Sequence, residues 1–579
     1  MTPRHRPVSL GPTEVDVVRR PDGAVLLRSP HPLGPFPPRI TDRLDHFAAR
    51  DPDRVLFAQR AGGGGGWRTI AYGAARDGAR RIAGALLARR LSAERPVVVL
   101  SGNDIEHALI ELGALYAGIA YAPISPAYSL VSSDHGKLRA ILALLTPGLV
   151  YASDRTAFAR AIAAAVPAGV EVCGAGDLDR WLADPPPGAV DEAHDAVTGD
   201  TIAKFLFTSG STGAPKAVIN THRMWCSNQE MIRTMLAYFR DEPPVIVDWA
   251  PWHHTAAGNH DFGLVLYNGG TYYIDEGRPV PGAIEATVRN LGEISPTWYF
   301  NVPRGFEALL PFLRADAGLR QTFFRRLKVL WFAGAGLAQP VFDAYRELGR
   351  STVGEEILFL TGLGSTETAP YAMGRMWPTD DASNVGLPPP GVELKLVPTE
   401  GKYEARLRGP NVAPGYWRQP ELTRQAFDDE GYYRLGDTFA FADGDPARGL
   451  LFRGRMSEDF KLSTGTWVHV GPLRARLLGH LAPLAQDVVI AGEGRSELAI
   501  LVFPAAGFSA EAFRHCLAGF ESTGSSDRIA RALILTEPPS LDAGEITDKG
   551  TINQRAVLAR RRDLVDQLYG DDVAGVLVR

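Results

Sequence analysis

Thr208, Ser209, Gly210, Ser211, Thr212 and Gly213 follow the apolar run Phe205-Leu-Phe207 and lead through Ala214 and Pro215 to Lys216. Glycines let backbone amides turn inward on an anion, and hydroxyls and a lysine add donors and charge, so this is the composition of a phosphate cradle. It is not a Walker loop, because Gly210 and Gly213 stand too close and Lys216 is followed by Ala217, not Ser or Thr. A plain surface linker is the competing reading, and Pro215 with its strand-like flanks argues against slack chain. A second glycine and hydroxyl loop, Thr361-Gly-Leu-Gly-Ser-Thr-Glu-Thr-Ala-Pro370, carries Glu367. An acid beside hydroxyls, facing a phosphate loop, suits magnesium-bound phosphate; the bland alternative is a helix cap. Asp437 closes Gly431-Tyr-Tyr-Arg-Leu-Gly-Asp437 at a strand end, where a turn aspartate would also stand. His253, His254 and His260 fall within eight residues, which raises zinc. No Cys or Asp stands beside them at metal-ligand spacing, so a pocket wall of Trp252, His254 and Asn259 is the favoured reading.

These residues need a large scaffold. The chain has 579 residues, far more than one core serves. Apolar residues make 45% and charged residues 22%, an ordinary globular mix. The formal net charge of -5 gives no bulk attraction to nucleic acid or anionic membrane. Cys173, Cys226 and Cys516 are too dispersed for a disulfide scaffold, no apolar run reaches a membrane span, and no signal peptide is read at the start. A cytoplasmic setting is the expectation. Only eight of the 61 basic residues are lysines, which singles out Lys216, Lys461 and Lys549.

Strand-like runs alternate with helix-length segments from about residue 44 to residue 360, which predicts parallel β/α units. Residues 1–40 read as Pro-rich chain lying over the surface. Thr297-Trp-Tyr-Phe-Asn-Val-Pro303 reads as a strand, and Ala333-Gly-Ala-Gly-Leu337 as a tight turn against which a flat group can press. Residues 390–455 read as a small β-barrel-like module. Composition shifts after Arg455. The fold class is therefore α/β: a large N-terminal domain over 1–455, of parallel β/α layers plus the small module, and a small mobile α+β domain over 456–579.

At this point a family resemblance is specific. The segments 208–216, Gly364-Ser-Thr-Glu367, Tyr433-Arg-Leu-Gly-Asp437 and Gly454-Arg-Met-Ser-Glu-Asp-Phe-Lys461, with Asn411-Val-Ala-Pro-Gly-Tyr-Trp417, resemble in order the adenylate-forming acyl-CoA synthetases. The stretches 361–370, 457–468 and 545–554 are most similar to feruloyl-CoA synthases. The resemblance implies ATP, Mg2+ and coenzyme A acting on an aromatic carboxylate through an acyl-adenylate. By position, Thr208, Ser209, Gly210, Ser211, Thr212, Gly213 and Lys216 would embrace the β- and γ-phosphates. Thr366 would hold the α-phosphate and Glu367 the magnesium. Asp437 would meet the ribose with Arg455 beside it, and Ala335, Gly336 and Leu337 would flank adenine. Leu363, next to Gly364, stands where an aromatic residue usually stacks. Ser457 would be the hinge, Lys461 a further cofactor contact, and Gly465 would line the pantetheine tunnel. Lys549 takes the final-lysine role, although Gly550 follows it where the usual lysine follows a glycine. The acid would lie among Trp252, His254, Asn259, Tyr299 and Gly334, with Tyr299 preferred over Trp298 as the strand residue facing the ring. Such families also carry the expectation of a homodimer. The alternatives are a medium-chain fatty acid or other aryl acid–CoA ligase, an adenylation enzyme loading a carrier protein, and a non-catalytic nucleotide binder.

Overall fold

The computed structural model describes residues 4–62, 65–184, 188–209, 215–548 and 550–570, with backbone alone at Ser209 and 576–578. Short all-apolar strands, Val97–Val99, Tyr121–Pro123 and Leu149–Tyr151, pair in parallel with both faces buried. They form a six-stranded sheet that continues to Ile202–Ser209 and ends on the antiparallel strand Pro215–Thr221. A parallel sheet buried on both sides has no solvent face, so its strands are uniformly apolar instead of alternating. Two four-stranded sheets follow, each with parallel strands at its centre. One holds Val245–Asp248 and Thr271–Ile274; the other holds Trp298–Asn301, Val329–Phe332 and Leu358–Gly364, closed by antiparallel Tyr371–Arg375.

The remaining large sheet is antiparallel and six-stranded. It includes Glu393–Thr399, Lys402–Arg408, Tyr433–Phe441 and Leu450–Arg455. It also takes in a hairpin, Asp16–Arg19 and Val25–Arg28, that the N-terminal composition did not disclose. Val25 and Leu27 are buried in the main core, so this part of the N-terminal stretch is structural and not draped over the surface. The chain is thus a large α/β unit of several subdomains followed by a smaller α+β unit. The smaller unit has its own sheet, built on Ala485–Ala491, Leu498–Pro504 and Ile529–Ile534, and separate apolar clusters on its two faces. Among the described residues no helix is long and apolar enough to cross a membrane.

One buried ion pair fixes the first sheet to the loops above it. Lys204, on Ile202–Ser209, donates to Glu111 Oε1 at 2.7 Å and to the Gly258 carbonyl at 2.9 Å. Its ammonium lies 3.6 Å from the centre of the Trp225 ring, and Tyr121 Oη donates to the other oxygen of Glu111 at 2.6 Å. Burial pulls the Lys204 pKa down, and Glu111 opposes that pull. Removing one member leaves the other buried and uncompensated. Glu111→Ala is therefore expected to cost roughly 3–5 kcal/mol of stability, read from the urea transition of the large unit. Replacing Lys204 by Met in the same chain should recover part of the loss.

Candidate active site

Most of the candidate residues lie at the carboxyl ends of parallel strands, where open α/β sheets bind ligands. Ile202–Ser209 delivers Thr208, half-buried, to the mouth of the first sheet. Gly210, Ser211, Thr212 and Gly213 lie outside the described residues, as does Lys549, and the side chain of Ser209 is likewise not described. The chain returns along Pro215–Thr221, where Lys216 pairs with Thr208. Thr221 then caps the helix His222–Met235 by accepting from the Met224 amide.

The segment 411–417 lies along that return strand: the Trp417 amide donates to Ala217 O at 2.8 Å and the Ile219 amide to Gly415 O at 3.1 Å. This sets the Tyr416 ring 5.5 Å from the Lys216 ammonium. Tyr416 Oη donates to Glu367 Oε1 at 2.8 Å, and the Ala413 amide donates to Glu367 O. Glu367 is buried, with Thr366 and Thr368 beside it. Tyr416 was not among the residues assigned from sequence, although its segment was; it joins Lys216 to Glu367. The loop before Glu367 requires Gly364, because a Cβ there would stand 1.6 Å from the Pro370 carbonyl. One buried carboxylate with one oxygen already accepting a phenol proton suits a hard cation that takes its other oxygens from phosphate and water. Glu367 is thus the residue that would hold Mg2+.

Tyr433 begins the strand that carries Asp437. Its phenol pKa is pushed up by burial and by the nearby Glu367 and Tyr416. Asp437 is 7% exposed and pairs in register with Arg455, whose Nε lies 3.4 Å away. Its Oδ1 has no hydrogen-bond partner among the described residues. A buried acceptor facing the site fits hydroxyl donors such as those of a ribose. Gly334, Ala335 and Gly336 are exposed at the end of Val329–Phe332. Leu337 turns inward and packs in the second core, so only the backbone before it can flank a ring. Leu363 is half-buried against the main core.

The acid wall needs correction at two places. Trp252 is fully buried among Phe57, His107, Phe262 and Tyr272, and donates to Tyr272 Oη at 3.1 Å; it anchors the loop and does not line a pocket. Tyr299 points into the second core against Phe306 and Phe323, and its hydroxyl accepts from Asn301. Alternation along the strand puts Trp298 on the opposite face, stacked on His260 and 5.2 Å from Trp331. Asn259 is fully buried in the π-helical turn Ala256–Asp261, where Nδ2 donates to Asn220 and Thr255. The same turn brings His260 to a closely packed seam, too narrow for a water molecule, shared with Trp331, Tyr371, Met376, Met235, Ile232 and Leu236. His260 Nδ1 lies 2.7 Å from Asp261 Oδ1, and burial pushes the imidazole down to about 4, so it is neutral at pH 7. His260 Nε2 and Tyr371 Oη are buried without hydrogen-bond partners among the described residues.

The small unit is docked on this mouth. Asp542 accepts from the Ser133 amide and hydroxyl, Lys137 donates to Leu541 O at 2.8 Å, and His253 Nε2 lies 2.9 Å from Asp548 Oδ2. His254 is buried at the same contact. Past the exposed Ser457, Asp459 accepts from Lys402 at 2.6 Å. Lys461 and Gly465 are exposed on a hairpin whose Trp467 donates to Glu400. The structure does not bring them to Glu367.

Burial pushes the Asp437 carboxyl up to about 6 from 3.8, against the opposing pull of Arg455. A carboxyl raised on folding is destabilising when ionised. That cost is absent below the unfolded value and complete above about pH 6. Asp437→Asn is therefore expected to raise stability at pH 7.5 by up to about 3 kcal/mol. It should also abolish the fall in stability between pH 4 and 6, measured by denaturant unfolding across that range.

A family model described as AMP-binding enzyme matches residues 44–417, and one described as AMP-binding enzyme C-terminal domain matches residues 459–573. The feruloyl-CoA synthase of an Amycolatopsis species is 27% identical over 420 residues, 69% of this chain and 77% of that protein. A subunit of the linear gramicidin synthase of Brevibacillus parabrevis is 25% identical over 470 residues, 77% of this chain; the match spans 8% of that protein's length. The o-succinylbenzoate CoA synthetase of Bacillus subtilis, solved with its acyl-adenylate intermediate, shares the fold with a TM-score of 0.70 at 15% identity, covering 91% of this chain and 98% of that one. With its large unit matched over 44–417 and its small unit over 459–573, the chain belongs to the AMP-binding enzyme family, the class of AMP-forming acid–thiol ligases.

Proposed function

We propose that this protein is an ATP-dependent aryl acid–CoA ligase, with ring-hydroxylated acids such as ferulate as first candidates. In the first step a carboxylate oxygen of the acid attacks the α-phosphorus of ATP, the bond to the β-phosphate breaks, and pyrophosphate leaves. In the second, the sulfur of CoA attacks the acyl carbon and AMP leaves. No base is required for the first step, since a carboxylate is ionised near pH 7. Bringing two anions together is the difficulty, and Lys216, Lys549 and a cation at Glu367 supply the opposing charge. Bound Mg2+ would neutralise phosphate charge as the pyrophosphate departs. Thr366 is assigned to the α-phosphate, Asp437 to the ribose and Gly334 to the entrance of the acid slot.

The single observation that carries the aryl reading is the cluster of flat rings Trp298, Trp331, Tyr371 and His260. Within it His260 Nε2 and Tyr371 Oη are buried without hydrogen-bond partners among the described residues. In the tautomer with its proton on Nδ1, His260 Nε2 is an acceptor, and Tyr371 Oη can donate. A phenolic hydroxyl answers both. Opening of the slot around Met376 and Met235 would admit the ring, and unbranched methionines yield readily. The likeness to a feruloyl-CoA synthase agrees with this reading. The likeness to part of a gramicidin synthase favours a second one, loading of a carrier protein. AMP release that depends on free CoA separates the two.

Ferulate and 4-coumarate are expected to lead cinnamate in kcat/KM by roughly 10- to 100-fold, because a site built to hydrogen-bond a hydroxyl rejects its absence. Benzoate and octanoate should trail. Tyr371→Phe should narrow the gap between 4-coumarate and cinnamate without changing the product, AMP. Release of ADP would overturn the mechanism, and octanoate matching ferulate would transfer the reading to medium-chain acids. Lys549→Ala is expected to slow adenylate formation far more than thioester formation from pre-made acyl-adenylate. An equal loss in both half-reactions would assign Lys549 another role.

A further inference from the structure

His253 and His254 belong to the large unit, and Asp548 comes from the small one. The geometry points to a transition-metal site of the zinc class at their junction, one that locks the small unit in its docked orientation. Two imidazoles and a carboxylate offer ligand atoms that all lie within 4.8 Å of one another. His253 Nε2 and His254 Nε2 stand 2.9 and 3.5 Å from Asp548 Oδ2. Zn–N and Zn–O bonds of about 2.0–2.1 Å in a tetrahedron put neighbouring ligand atoms about 3.3 Å apart, between those two values. The imidazole centres are 4.2 Å apart, so both rings reach the same side. Nitrogen donors select zinc, cobalt or nickel over magnesium, which separates this site from Glu367.

Both halves are held in place before any ion arrives. Asn103 accepts from the Trp252 amide and donates to Ala250 O, and Trp252 is anchored on Tyr272, so the backbone leading to the histidines is fixed. In the small unit the Thr547 amide donates to Thr551 O and the Gly550 amide to Thr547 O, a tight turn that presents Asp548. The third ligand is 295 positions from the first, which is why local spacing gave no sign of it.

A metal that needs ligands from both units binds only the docked arrangement. At a free ion concentration about a hundred times the dissociation constant, the undocked population falls about a hundredfold. The second half-reaction, under the ligase reading, needs the small unit to turn and would be the step suppressed.

The test is Co2+ and Zn2+ titration of the full chain without substrates. One equivalent should bind at micromolar concentration, with visible absorption of tetrahedral Co2+ and slower proteolysis of the 541–551 segment. His253→Gln and Asp548→Asn should each weaken binding at least tenfold. In the half-reaction assay, Zn2+ should slow thioester formation at least tenfold in the wild type and leave His253→Gln unaffected. Absence of one-equivalent binding below about 100 µM, or unchanged affinity in both variants, overturns the site. Binding is read without substrates, so failure of the aryl acid reading leaves the binding result intact.

Discussion

The hydrogen bond from Tyr416 to Glu367 is the contact on which the mouth of the large unit depends. Glu367 follows the third strand of one parallel sheet, Lys216 stands on the edge strand of another, and Tyr416 belongs to the link that feeds the antiparallel sheet. Backbone hydrogen bonds from 413–417 to the Lys216 strand and to Glu367 O set the paths of these supports, but not the direction of the Glu367 side chain. A phenol donating to a buried carboxylate is short and directional. It also leaves the second carboxylate oxygen uncommitted. Asn411 reinforces the arrangement by donating to the carbonyls of Thr368 and Tyr371, which ties the turn carrying Glu367 to the strand Tyr371–Arg375.

Polar groups that are costly to bury lie at the edges of this mouth, and their partners differ. Lys204 and Glu111 satisfy each other and the surrounding backbone, so their burial is structural. Asp437 Oδ1, although 3.4 Å from Arg455 Nε, and His260 Nε2 each lack a hydrogen-bond partner among the described residues. The difference is physical: an internal pair can be completed by the fold, whereas an atom reserved for a ligand must be left incomplete until that ligand arrives. Local instability at such positions is the ordinary cost of a site that exchanges its occupants.

The Glu367 turn and the Asp437 strand end were legible as local structure in the sequence, whereas the glycine and hydroxyl loop at 210–213 lies outside the described residues. A glycine and hydroxyl run after an apolar strand declares itself within ten residues, and its neighbours in space need not be known. The acid slot was not legible in the same way. Trp298 and Tyr299 are adjacent aromatics, and which one packs on His260 and Trp331 is decided by the register of Trp298–Asn301 against Val329–Phe332, a tertiary fact. Trp252 looked like a wall because it stands beside His253, yet its indole turns into the core to reach Tyr272. The hairpin Asp16–Arg19 to Val25–Arg28 escaped notice because its strands are short and finish a sheet begun nearly 400 residues later. Tyr371 carried no motif and His260 only the three-histidine run; their common packing on Trp331 shows that they belong together.

The docked small unit explains why its residues divide into two groups. The loop ending at Asp548 lies on the large unit beside His254, while Lys461 and Gly465 sit on a hairpin turned toward Glu400, outside the mouth. A rigid unit of this size cannot present both surfaces to one opening. Ser457 is exposed at the join, where Lys402 donates to Asp459, the Met456 amide donates to Gly436 O, and the helix Val470–Leu481 packs on the strand Leu450–Arg455. Rotation there would leave both apolar cores intact, so it costs less than unfolding either. By contrast the Asp542, Lys137 and Asp548 contacts are distributed over the far edge of the small unit, where a modest rotation about Ser457 separates all of them at once. Under the proposed ligase cycle the unit would exchange one face for the other as a body, and the strength of the Asp548 contact would set how long the first face stays in place.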